Sequence, residues 1–184
     1  MTTTIHQLVP SVVPGDATTS HALQLQRLLE AEGHHSDVFA IAIHPQLEDR
    51  VRLLGELSGP SDRGSFLIYQ CSAYSEMADF LIGRRERIAV NYHNITPRSY
   101  FRPHDAGIAL SQYAAEVQVS QLARSSGFAV CDSRFNAEDI RSRGFSETAV
   151  APVLVDLDEF GADLDARTAE MLERRHSEGG AAFL

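Results

Sequence analysis

Three short stretches combine side chains that can hold an anion, carry a proton or bind a hydroxyl. Val13-Pro14-Gly15-Asp16-Ala17-Thr18-Thr19-Ser20 places a glycine, a carboxylate and hydroxyls directly ahead of a helical pattern, whose free N-terminal amides attract an anion such as a diphosphate. It has neither GxGxxG nor a Walker lysine, and taken alone a capped turn is the plainer reading. Tyr92-His93-Asn94 sets an imidazole and an amide at the end of an apolar run. His93 can bond a sugar hydroxyl or a phosphate and can carry a proton near neutral pH; it can equally do no more than satisfy loop carbonyls. Asp132-Ser133-Arg134-Phe135-Asn136 is the third stretch. Helix capping alone would explain Ser133, and Arg134 in a first helical turn opposes the dipole unless an anion or carboxylate compensates it. No GxSxG elbow occurs, which disfavours a serine hydrolase.

The elements that must carry these loops alternate. Apolar runs over residues 5–13, 36–43, 65–71, 87–92, 127–131 and 149–155 read as six strands, with Pro10 breaking the first and Pro152 interrupting the last. Helical spacing follows most of them: Ala22, Leu25, Leu28 and Leu29 up to Gly33; a weaker helix from Gln46 to Leu57; Glu76 to Gly83; Ile108, Ala115, Val119 and Leu122; and a helix up to Arg143-Gly144. Strands separated by helical crossovers predict an α/β fold with a Rossmann-like, doubly wound parallel sheet, and ligands of such sheets bind beyond the carboxyl ends of the strands. An acidic turn over residues 156–161, a charged helix from Asp163 to His176 and a glycine linker precede Ala181-Ala182-Phe183-Leu184, which reads as the opening of another strand. The expected division is a domain over residues 1–161 and a connecting helix and linker over 162–184 that lead into a further domain.

Composition narrows the partners. With 184 residues and 43% of them hydrophobic, the chain can enclose one ordinary core. A net charge of -9 argues against a protein that tracks nucleic-acid phosphates. No apolar run has the length of an integral membrane span, and the first residues lack a signal peptide's pattern, so a cytoplasmic location is expected. Cys71 and Cys131 end apolar runs and read as reduced core residues. The eight histidines show no ligand spacing along the chain, and no metal is implied.

Four segments together resemble the amino-terminal domain of the retaining glycosyltransferases of family 4, enzymes of the GT-B fold. They are Leu67-Ile68-Tyr69-Gln70-Cys71-Ser72, Val90-Asn91-Tyr92-His93-Asn94-Ile95-Thr96-Pro97, Val130-Cys131-Asp132-Ser133-Arg134-Phe135-Asn136 and Ala151-Pro152-Val153-Leu154-Val155-Asp156. The resemblance implies transfer of a sugar from a nucleotide-sugar donor to a glycan, lipid or small-molecule acceptor, without a further cofactor. It puts Gly15 and Asp16 at the donor diphosphate, His93 at the transferred sugar as the catalytic histidine, and Tyr74, Asn94, Ser133 and Arg134 along the cleft or acceptor side. Removal of His93 is then expected to cost turnover and not stability. Peripheral contact with the inner membrane face is compatible with this reading. The family's paired glutamates and donor-binding basic residues belong to its carboxy-terminal domain and have no match here, so the chain alone is expected to be inactive. The alternative is a non-catalytic interaction domain or a nucleotide-binding module of the same fold.

Overall fold

A computed structural model describes residues 2–57, 64–155 and 166–178. Seven strands form one all-parallel sheet: β1 (Ile5–Val12), β2 (Val38–Ile43), β3 (Arg52–Leu53), β4 (Phe66–Cys71), β5 (Arg87–Tyr92), β6 (Phe128–Cys131) and β7 (Glu147–Val150), in the order β3-β2-β1-β4-β5-β6-β7. The order reverses between β1 and β4, which makes their carboxyl ends the switch point of a doubly wound, Rossmann-like fold.

The alternation of side chains along each strand sends the core to both faces. On one face Leu8, Tyr69, Val90 and Cys131 meet α2 (Glu76–Leu81), α3 (Ala106–Ser126) and α4 (Arg134–Ser142) through Met77, Leu81, Val119, Leu122 and Ile140. On the other, Val9, Val38 and Ala40 meet α1 (Ala17–Ala31) through Ala22 and Leu23. Strands in the middle of a parallel sheet turn side chains toward covered faces, which is why β4 and β5 are mostly apolar, with Gln70 and Asn91 as buried exceptions.

Two sequence expectations change. The segment read as a weak helix from Gln46 to Leu57 is a 3-10 turn (Pro45–Leu47), the short edge strand β3 and a second 3-10 turn (Leu54–Glu56). Leu47 and Val51 have helical spacing, yet both are drawn into the α1 face of the core, while Arg52 and Leu53 pair with Phe39 and Ala40. A short helix containing Gly55 has little intrinsic stability to set against that pairing. The sheet therefore has seven strands, not six. Second, Pro10 does not break β1. Ile5 and Gln7 donate toward the β2 side, to His35 and Asp37 carbonyls at 2.9 Å each, so the even-numbered residues turn their nitrogens toward β4. Pairing with β4 ends at Leu8, and Pro10 lies beyond it, where no ladder donor is required.

The other elements agree with the sequence to within a few residues at most boundaries. The last strand is shifted: β7 is Glu147–Val150, and Ala151 to Val155 is irregular. α5 (Ala166–Ser177) matches the charged tail helix and has no buried residue. The acidic turn, the 161/162 boundary, Ser58-Gly59-Pro60 and the terminal Ala181 to Leu184 lie outside the described residues. Among the described residues no helix is long and apolar enough to cross a membrane.

Candidate functional site

Because every strand runs the same way, the loops after β1, β4, β5 and β6 open on one rim. Gly15, Tyr74, His93, Asn94, Ser133 and Arg134 all follow strand carboxyl ends and so share it. What lies beneath that rim is a row of polar side chains on the α1 face of the sheet. Gln7 of β1, Gln70 of β4 and Asn91 of β5 are all buried. Their burial demands partners.

The row begins at a backbone carbonyl, which fixes its polarity. Gln7 Nε2 donates to the carbonyl of Ala22 in α1 at 2.8 Å, so Gln7 Oε1 is free to accept from Gln70 Nε2 at 3.0 Å. Gln70 Oε1 then faces outward as an acceptor, and His93 Nε2, 2.7 Å away, must donate to it. His93 Nδ1 lies 2.8 Å from Asp132 Oδ2. Two oxygen acceptors thus face the two ring nitrogens. The side chains are 8% and 19% exposed, so water does little to dilute the interaction. Asp132 Oδ1 is buried and has no hydrogen-bond partner among the described residues.

A second histidine completes the cluster. His21, in the second turn of α1 and buried, sits edge-on to His93 with ring centroids 5.5 Å apart. Its Nδ1 accepts the Leu154 N–H at 2.9 Å, so a neutral His21 carries its hydrogen on Nε2. That nitrogen is 2.7 Å from Asn91 Nδ2, which also donates to Gln70 Oε1 at 3.0 Å, while Asn91 Oδ1 is buried and has no hydrogen-bond partner among the described residues. Turning the Asn91 amide over would satisfy His21 but set oxygen against Gln70 Oε1. One polar mismatch stays in the cluster either way. Burial first, then the neighbouring charge of His93, lowers the pKa of His21, with Asp132 acting in the opposite direction.

The loops around the cluster are pinned. Asn94 has φ of 79°, a left-handed conformation that asparagine tolerates better than most residues, and it turns the chain out of β5. Ile95 then buries itself and donates its N–H to the Tyr92 hydroxyl at 3.2 Å. That hydroxyl donates to Asp139 Oδ2 at 2.5 Å, and Arg143 pairs with both oxygens of Asp139. After β4, Gln118 of α3 clamps the backbone of Ser75 from both sides, accepting from its N–H at 3.1 Å and donating to its carbonyl at 3.0 Å. Tyr74, just before it, is 44% exposed.

At the first loop the structure gives Asp16 a defined local task. Its Oδ2 accepts from Thr19 N at 2.8 Å and from Thr19 Oγ1 at 2.9 Å, capping α1. A carboxylate therefore already stands at the amides that the sequence reading reserved for a diphosphate. Gly15 has φ of 80° and open space where a Cβ would point. The turn needs glycine for its backbone angle, and a cleft of about 220 Å³ opens beside it, lined in part by Ser20, Gln24, Arg27 and Arg50. Ser133 Oγ caps α4 by accepting from Asn136 N at 3.1 Å, and Arg134 is exposed at the first position of that helix.

His93 is a candidate from sequence alone, whereas Gln7, His21, Gln70, Asn91 and Asp132 join the site only in the fold. The signal in the sequence is an amide beside an apolar run in each strand: Gln7 before Leu8-Val9, Gln70 after Leu67-Ile68-Tyr69 and Asn91 after Ile88-Ala89-Val90. Their alignment across β1, β4 and β5 depends on register, with Gln70 opposite Asn91.

Fold and rim together define a Rossmann-like, doubly wound α/β domain whose strand-carboxyl edge carries a part-buried histidine–carboxylate pair. No protein-family model matches the chain, and no curated protein matches it.

Proposed function

We propose that the chain is the amino-terminal, acceptor-side domain of a retaining GT-B glycosyltransferase resembling family 4, using a nucleotide-sugar donor in the cytoplasm or at the inner membrane face. The observation that carries this reading is His93, held at the strand-carboxyl rim between Asp132 and the relay that starts at the Ala22 carbonyl. A structural histidine does not require a buried row of three amides and a second imidazole. A group that must hold one ring orientation at a reacting sugar does.

In this transfer the bond from the anomeric carbon to the diphosphate breaks, the bond to the acceptor oxygen forms on the same face, and the acceptor's proton passes to the leaving diphosphate. Charge accumulates on the leaving group, which suits the open backbone at Gly15, while Ser133 and Arg134 line the cleft or acceptor side. Asp16, occupied as a cap, would shape that loop and not touch the donor. Tyr74 and Asn94 flank the acceptor side.

One observation favours a second reading. Both ring nitrogens of His93 are engaged by protein, so a sugar hydroxyl must displace Gln70 or Asp132 to reach them. A non-catalytic interaction or nucleotide-binding module would leave those bonds intact. Calorimetric titration of the chain with uridine and guanosine diphosphate sugars, with turnover assays on candidate acceptors, is expected to give neither tight binding nor transfer. A polypeptide in which the chain precedes a donor-binding half should transfer sugar and lose that activity in His93→Asn. Undiminished transfer by that variant, or tight donor binding by this chain alone, would overturn the proposal.

A further inference from the structure

At the opposite rim of the sheet, parallel pairing draws together residues that are far apart in sequence. Thr4 bridges to His35 and Gln7 pairs with Val38, so His6 at the start of β1 lies alongside Asp37 just ahead of β2. His6 Nδ1 is 3.8 Å from Asp37 Oδ2, and His35 Nε2 is 3.9 Å from the same oxygen. One ligand atom from each residue falls within 4.8 Å of the others. The rings are oriented by edge-on contacts, His6 against His35 at 5.4 Å and against Phe39 at 5.2 Å. His6 Nδ1 accepts the Asp37 N–H at 3.1 Å, so that nitrogen is unprotonated, and an ion that takes it as a ligand must displace this backbone hydrogen bond.

We propose that His6, His35 and Asp37 form a binding site for a first-row divalent cation of the zinc class, with solvent completing its coordination. Two imidazoles and one carboxylate suit zinc, cobalt or nickel, whereas magnesium and calcium prefer sites built from oxygen. Tetrahedral coordination at ordinary bond lengths needs ligand atoms about 3.3 Å apart. The cluster must therefore contract by about half an ångström at its His–Asp edges. His35, with its side chain 62% exposed, is free to make that movement.

Arg52 opposes the ion. Its Nη1 lies 3.2 Å from the same Asp37 oxygen, so a guanidinium now occupies the cation's side of the carboxylate. Arg52 is half exposed and also pairs with Glu56 at 3.3 Å, which gives it an alternative partner when the metal enters. Exposed pairs of this kind are weak, and displacing this one costs little. The arrangement makes Arg52 a competitor whose removal should strengthen binding.

Isothermal titration of the chain with zinc chloride, and with cobalt chloride monitored by its visible absorption, tests the site directly. The native chain should bind one ion, H35A and D37N should each weaken binding at least about tenfold, and R52Q should tighten it severalfold at unchanged stoichiometry. His35 and Arg52 are surface residues, so H35A and R52Q should retain the native circular dichroism. Absence of saturable binding, equal affinity in H35A, or tighter binding lost only on mutation of His34 or His44 would overturn the proposal. Its outcome does not depend on whether the chain belongs to a glycosyltransferase, since the cluster and His93 lie at opposite ends of the strands.

Discussion

The backbone N–H of Leu154 donates to His21 Nδ1 at 2.9 Å, tying α1 to the chain that leaves β7 across 133 positions of sequence. The bond needs an unprotonated Nδ1, so it gives the fold a pH dependence. Burial pushes the pKa of His21 below its ordinary 6.5, and burial does the same to His6 against the pull of Asp37. Below about pH 6.5 the unfolded chain takes up protons that the folded chain still refuses. Linkage then makes stability fall as pH falls through that window, while it is fully present above it. Urea midpoints should be level from about pH 8 to 7 and decline below about 6.5. An increase in the midpoint on acidification through that range would contradict the assignment.

His93→Ala should cost stability as well as activity, which changes the expectation drawn from sequence. The side chain is 8% exposed, and its removal strands Asp132 Oδ2 in a part-buried setting and leaves Gln70 Oε1 with the Asn91 amide alone. A loss of about 1–3 kcal/mol follows, enough to lower the melting temperature by several degrees in a domain of this size. Scanning calorimetry would check it. An unchanged melting temperature would mean that Asp132 Oδ2 reaches water.

The amide relay should behave as one unit. Gln70→Leu leaves Gln7 Oε1 and the donors of Asn91 and His93 unpaired, at about 1–3 kcal/mol. Once it is gone, Gln7→Leu has less to lose, so the double variant should cost less than the sum by about 0.5 kcal/mol or more. Urea unfolding of the two single variants and the double variant gives this coupling. Strict additivity would show that Gln7 and Gln70 act separately.

Both thiols should be inert in the folded protein. Burial pushes Cys71 up to about 12, and burial, followed by the neighbouring Asp132 carboxylate, pushes Cys131 up to about 11. Neither sulfur offers appreciable thiolate at pH 8. A chromogenic disulfide reagent should label neither cysteine until urea unfolds the chain and then label both at the same denaturant concentration. Labelling of either one in native buffer would point to local opening near β4 or β6.

The sequence by itself determined the α/β class, five of the seven strands to within about two residues, and the rim on which His93, Ser133 and Gly15 lie. These follow from local physics: apolar runs too short for helices, capping side chains such as Asp16 and Ser133, and the single direction in which parallel strands must run. It did not determine β3, because the pattern of Leu47 and Val51 fits a helix face as well as the underside of an edge strand, and only pairing with Phe39 and Ala40 separates the two. Nor did it determine what His93 touches. Gln7, His21, Gln70, Asn91 and Asp132 are spread over 126 positions, and their hydrogen bonds exist only because strand register and the seating of α1 bring them within 3 Å of one another. The same holds for His6, His35 and Asp37. Spacing along a chain reveals ligands that share a helix or a loop, whereas a site assembled between neighbouring strands is decided by register, and register is a property of the folded sheet.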